Sequence, residues 1–210
     1  MSRRPNPRAD LLRQAVADEA ARIMNEQGVD DFLLAKRKAA ERLGVTDASI
    51  LPRNTEIEAA LMAHHRLFAQ DRHAADLSDL RRSALAAMRL MQDFQPRLVG
   101  PVLNGSASAH SEINLHLFSE TPEAVSLRLD ERGVPHEVLE RRVRFERDRA
   151  VSYPALRFVA GRQTVDAVVF PLDGIRQSPC SPVDGKPMRR ASATEVEDLL
   201  DRFGGPGDPR

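Results

Sequence analysis

Tryptophan is absent from this chain, tyrosine occurs once, and aromatic residues make up only 4% of it. Platforms that grip single-stranded nucleic acid stack successive bases on aromatic rings, so that class of function is not expected. One cysteine, Cys180, rules out a disulfide within the chain and any all-cysteine metal centre, and it suits a reducing cytoplasm. No stretch approaches the ~20 apolar residues of a membrane span, and no membrane partner is expected. The opening Met-Ser-Arg-Arg-Pro-Asn-Pro-Arg has no apolar stretch of the kind a secretory signal carries, so a cytoplasmic protein is expected. Net charge is lacking too. Lys and Arg together number 31 and so do Asp and Glu, which leaves no global field to draw in nucleic acid or an anionic membrane. The glycine-rich phosphate loop and the dinucleotide-binding glycine fingerprint are both missing.

What is present divides by texture. Residues 1–95 read as helices. Leu11, Leu12, Ala15, Val16, Ala20, Ile23 and Met24 fall on one helical face, and Gly28 ends that helix. Phe32, Leu33, Ala39, Ala40 and Leu43 make a second amphipathic helix before Gly44. Its Lys36-Arg37-Lys38 run reads as a solvated face, and nothing at base-reading positions supports a helix-turn-helix. Thr55 and Glu58 have the spacing of a capping box, opening a helix with Ile57, Leu61, His64 and Phe68 on one face. His64 and His65 are adjacent, and adjacent helical positions do not face one ligand. A further helix carries Leu77, Leu80, Ala84, Ala87, Met88 and Met91, a core stripe that ends before Pro96.

From Pro96 onward the pattern is that of strands and loops. Arg97–Leu103 is an apolar run and reads as a strand. Gly105-Ser106 then opens a turn, and Glu112-Ile-Asn-Leu-His-Leu-Phe118 alternates with period two. That alternation puts Glu112, Asn114 and His116 on one face and Ile113, Leu115 and Leu117 on the other. Oxygen donors lined up on a strand can hold a metal. Thr121-Pro122 reads as a helix start that runs to Gly133. Glu137–Glu146 and Ala155–Val159 read as strands, and Gly161-Arg162 turns the second of these into Thr164–Phe170, an apolar strand with one acid, Asp166. After a Pro- and Ser-rich loop, Ser192 and Glu195 form a second capping box ahead of Val196, Leu199, Leu200 and Phe203. The fold class expected is α+β: a helical region over 1–95, then a mixed sheet with flanking helices over 96–210.

Gly105-Ser106, the Glu112-Ile113-Asn114 triplet and the later Asp166 strand, in that order, resemble the signature of the nucleotidyltransferase fold of the DNA polymerase β superfamily. The resemblance covers Arg97–Phe170. It implies Mg²⁺-dependent (or Mn²⁺-dependent) transfer of a nucleoside monophosphate from a nucleoside triphosphate to a hydroxyl acceptor. It implies Glu112 and Asp166 as catalytic acids and metal ligands, Asn114 as a neutral auxiliary ligand, and Gly105 and Ser106 as the phosphate turn. Lys186 and Arg189, in the Asp184–Arg190 loop, are candidate phosphate contacts, with Arg190 beside them. In that family the metal ions lie roughly 3.5–4 Å apart and serve the attacking and leaving oxygens. Two departures stand out. The turn between Gly-Ser and the acidic strand is short, and Asn114 stands where the family has a second carboxylate. The resemblance therefore also admits a catalytically degenerate module of the same fold, binding a nucleotide or a protein partner.

Overall fold

The computed structural model describes residues 7–68, 70–146 and 149–203. They form two compact units, one up to His73 together with Pro182–Asp184, the other Ala74–Ser181 together with the residues from Gly185 onward. Among the described residues no helix is long and apolar enough to cross a membrane.

The first unit is helical. It contains α1 (Pro7–Gln27), α2 (Phe32–Arg42), a 3-10 turn at Ala48–Ile50, α3 (Asn54–Phe68) and the first residues of α4 (Gln70–Leu90). Val16, Ala17, Ala20, Ala21 and Ile23 of α1 meet Ala35 and Ala39 of α2 and Ile57 and Leu61 of α3. The alanines let these helices approach closely. Asp31 caps α2 by accepting the Leu34 N–H at 2.9 Å. The apolar stripe is narrower than the sequence predicts, with Leu11 and Leu33 72% and 63% exposed. The cap of α3 also sits two residues earlier than expected. Glu56 reaches back, accepting the Arg53 N–H at 2.6 Å.

The second unit is a mixed α+β layer. Beyond the rest of α4 it holds β1 (Arg97–Val99), α5 (Pro101–Asn104), β2 (Ile113–Phe118), α6 (Pro122–Glu131), β3 (His136–Glu146), β4 (Arg149–Ala160), β5 (Gln163–Phe170) and α7 (Ala193–Phe203). The strand order is β1-β2-β5-β4-β3. Among the described residues β2 and β5 run parallel, and the other neighbouring pairs are antiparallel. The change to strands does fall after Pro96, while this compact unit begins at Ala74, because the α4 stripe packs on the sheet. Leu80, Ala84, Met88 and Met91 join Val125 and Leu129 of α6 and Val196 of α7 over Ile113, Leu115, Leu117, Val165, Ala167, Val169, Leu156 and Phe158.

The expected strand Arg97–Leu103 is cut short. Gly100 takes φ 73°, which leaves the strand, and Pro101 then starts a helical turn at its first position. The Gly161-Arg162 hairpin turn forms as expected, with Ala160 opposite Gln163. The Ser192 box forms as well: Glu195 accepts the Ser192 N–H at 2.7 Å and donates its own N–H to Ser192 Oγ at 3.3 Å. Ser192→Ala is expected to cost about 1 kcal/mol of stability, measured as a lowered urea midpoint with unchanged slope.

Candidate functional site

The face of the sheet away from α4, α6 and α7 carries Glu112, Asn114 and Asp166. Asn114 and Asp166 are direct register partners on the parallel strands β2 and β5, and Arg157 on β4 is the register partner of Asp166 on its other side. Glu112 stands two residues before Asn114, just ahead of β2. Side chains on neighbouring strands at one register level share a face, so the fold brings Glu112, Asn114 and Asp166 together.

Asp166 is 4% exposed. A carboxylate withdrawn from water this far needs charged or hydrogen-bonding partners. Arg141 of β3 supplies them, donating to Asp166 Oδ2 through Nε at 2.9 Å and through Nη2. Arg157 adds a third contact, its Nη2 lying 3.5 Å from the same oxygen and 3.0 Å from the Glu112 carboxylate. One guanidinium thus links both acids. The sequence expectations did not include either arginine. The available signal was a charged residue inside the apolar strand Ala155-Leu-Arg-Phe-Val159.

This donor set does not fit a divalent cation. Mg²⁺ takes hard oxygen ligands in octahedral geometry, but here a cationic nitrogen already stands between the two carboxylates. Asn114 turns its amide nitrogen toward the Glu112 carbonyl, at 3.5 Å, and packs over Gly100, where an added Cβ would sit 3.2 Å from that nitrogen. Among the described residues no group of three or more His, Cys, Asp or Glu side chains is placed to hold a metal.

The Gly105-Ser106 turn is committed to its own helix. Both N–H groups donate to the Pro101 carbonyl, at 2.8 and 3.1 Å, with Gly105 at φ 88°. These are the amides a phosphate cradle would need. Ser106 is buried. The following loop closes on itself, since Ser108 N donates to Ser111 Oγ at 3.0 Å and Ser111 N to Ser108 O at 3.0 Å. Arg81 of α4, itself buried, donates Nε to the Val102 carbonyl at 3.2 Å and so caps α5 from the helical side.

In the Asp184–Arg190 loop, Lys186 is exposed and its carbonyl accepts from Ser181 N at 2.7 Å. Arg189 is exposed and lies near enough to Arg81 to depress that guanidinium's pKa, after burial. The residue that turns onto the sheet is Arg190. Its Nε donates to His116 Nδ1 at 3.0 Å and its Nη1 to the Gly174 carbonyl at 2.9 Å. Its guanidinium carbon stands 5.0 Å from the Phe118 ring centre and 5.4 Å from that of Phe170. Burial first, and the Arg190 charge second, push the His116 pKa down to about 3, which keeps the imidazole neutral as an acceptor. Burial lowers Arg190 to about 10, so it remains a cation. Two buried guanidinium nitrogens on this face, Arg157 Nε and Arg190 Nη2, have no acceptor.

In comparisons with known proteins, no family model matches this chain, and no curated protein matches it. The reading of the site therefore rests on its geometry.

Two outcomes follow from that geometry. Asp166→Asn leaves Arg141 and Arg157 short of a counter-charge and is expected to lower stability by about 1–3 kcal/mol, read from urea unfolding. His116 is neutral in the fold below the pH at which it is protonated in the unfolded chain. Its contribution is complete above pH ~6.5 and is lost as pH falls toward about 3, at up to about 1.4 kcal/mol per pH unit. Urea midpoints measured from pH 7 to pH 4 should fall less steeply in His116→Asn than in the native chain.

Proposed function

We propose that the sheet unit is a nucleotidyltransferase-like module that binds a phosphate-bearing ligand of the nucleotide class through arginine, without a divalent cation and without transferring the nucleotide. The observation that carries this reading is the Arg157 guanidinium placed between Glu112 and Asp166. Nucleotidyl transfer asks those acids to hold metal, and here they hold a side chain. Support for an anionic ligand comes from the same face. Arg157 Nε and Arg190 Nη2 are donors without an acceptor, and Arg is suited to phosphate oxygens through its planar set of N–H groups.

The competing reading is a Mg²⁺- or Mn²⁺-dependent transferase acting on a hydroxyl acceptor. It draws on one specific observation, that Glu112 and Asp166 meet on a single sheet face with Asn114 in register beside them. Thermal melting of the full chain with ATP, GTP, CTP and UTP, in EDTA and in Mg²⁺ or Mn²⁺, separates the two. A nucleotide at ~100 times its Kd stabilises by about 2.7 kcal/mol, so binding is readable as a shift. The expected result is a shift that persists in EDTA, with no pyrophosphate released. A shift confined to the metal-containing samples and accompanied by pyrophosphate would establish the transferase instead. No shift under any condition would defeat the nucleotide-binding reading.

A further inference from the structure

We propose that Ser126, His136 and Asp130 form a second, nucleophilic site, in which Ser126 Oγ is acylated by carboxylic esters with His136 as its base. The site lies apart from the arginine-lined face and does not depend on what that face binds.

Ser126 and Asp130 are four residues apart, so they share one face of α6, a turn from each other. The helix then closes on Gly133 at φ 64°. Gly133 N donates to the Asp130 carbonyl at 2.9 Å, and Val134 N to the Leu129 carbonyl at 2.9 Å. That turn feeds directly into β3, whose first residue is His136. His136 is the register partner of Phe158, which belongs to the core under the helices. Register partners share a face, so the imidazole comes back toward α6 and away from Arg157.

The contacts are those of a nucleophile, a base and an orienting acid. Ser126 Oγ lies 2.5 Å from His136 Nε2. His136 Nδ1 lies 3.3 Å from the Val134 carbonyl oxygen and 3.7 Å from Asp130 Oδ1. A carbonyl and a carboxylate can only accept, so Nδ1 carries the proton, and Nε2 is left bare to accept from the Ser126 hydroxyl. That tautomer is the one a general base needs beside its nucleophile. The His136 side chain is 9% exposed, which holds the ring in place, while Ser126 is half-buried and keeps part of its surface in water. Leu127, 59% exposed, follows the nucleophile in sequence, and Val138, 66% exposed, stands two residues beyond the base on the same strand face. Apolar surface on both elements favours an ester with a neutral, aliphatic acyl chain.

In the reaction, Oγ bonds to the ester carbonyl carbon as its proton passes to Nε2. The bond from that carbon to the alcohol oxygen then breaks, and the leaving oxygen takes the proton. Water attacks acyl-Ser126 in the same way: its proton passes to Nε2 and on to Oγ as the carboxylic acid leaves.

The test uses p-nitrophenyl butyrate on the full chain, with nitrophenolate release followed optically and the acylated residue mapped by mass spectrometry. The proteins are the native chain, S126A, H136Q, D130N and D130E, with folding checked by circular dichroism. The native chain is expected to carry the butyryl group on Ser126, at a rate that falls on acidification, because a protonated imidazole cannot accept the serine proton. S126A is expected to lose the corresponding nitrophenolate burst. H136Q is expected to slow acylation of Ser126 at least about 100-fold, the lower end of what a general base contributes. Asp130 is a positioning residue, so D130N is expected to slow it about two- to fivefold, the scale of an exposed ion pair, and D130E to restore it. A native chain that gains no acyl group on Ser126 would overturn the proposal, because the Ser126–His136 contact would then be only a pin between α6 and β3. So would a full burst in S126A, or acylation of Ser126 at the native rate in folded H136Q. Where H136Q does not fold, the native chain still decides: a Ser126 rate unchanged by acidification overturns the role of His136. D130N at the native rate overturns the part given to Asp130.

Discussion

Asp166 sits on β5, the central strand of the five-stranded sheet, with almost none of its surface in water, and its charge has to be answered from within the fold. The answer comes from two strands away as well as from the next one. Arg157 is its neighbour in register on β4, while Arg141 reaches over from β3, where it pairs with Tyr153. This arrangement ties the long β3–β4 hairpin to the parallel β2–β5 pair on the face that carries no helix from α4, α6 or α7. It also decides the character of the site. Oxygens that a metal would use are already in ion pairs, and the chemistry available is that of guanidinium groups.

A second region of the same face follows similar logic. Arg190 lies over Phe118 and Phe170 and donates to a histidine that burial keeps neutral. A cation over aromatic rings gains from their negative faces, and a neutral imidazole nitrogen can accept where an imidazolium could not. The turn between β1 and β2 goes the other way. Its Gly105 and Ser106 amides close α5, and its serines bond to one another.

Much of the architecture was legible in the sequence. The order of helices and then strands, the Gly161 hairpin, the Ser192 cap and the two faces of β2 all came from local rules. Period-two alternation and turn chemistry act over a few residues, so they survive without tertiary context. The errors are local competitions decided by one residue. Gly100 and Pro101 ended a strand that apolarity alone extended to Leu103, and Glu56 takes the Arg53 N–H two positions ahead of the expected Thr55 box. Alternation also placed Glu112 and Asn114 on one face, and the register of β2 against β5 added Asp166 to it.

The partners of those side chains were another matter. Arg141 is 25 positions from Asp166, and Arg157 is 45 from Glu112. No spacing rule connects them, because the pairing depends on strand order and on the register of three ladders. The sequence by itself determined most of the elements, which of their faces are apolar, and that Glu112 and Asn114 share the polar face of one strand while Asp166 is the one acid in another. Only the tertiary structure decided that arginines stand among those acids, since long-range register, set by the packing of the helix-covered face, chooses which charges meet.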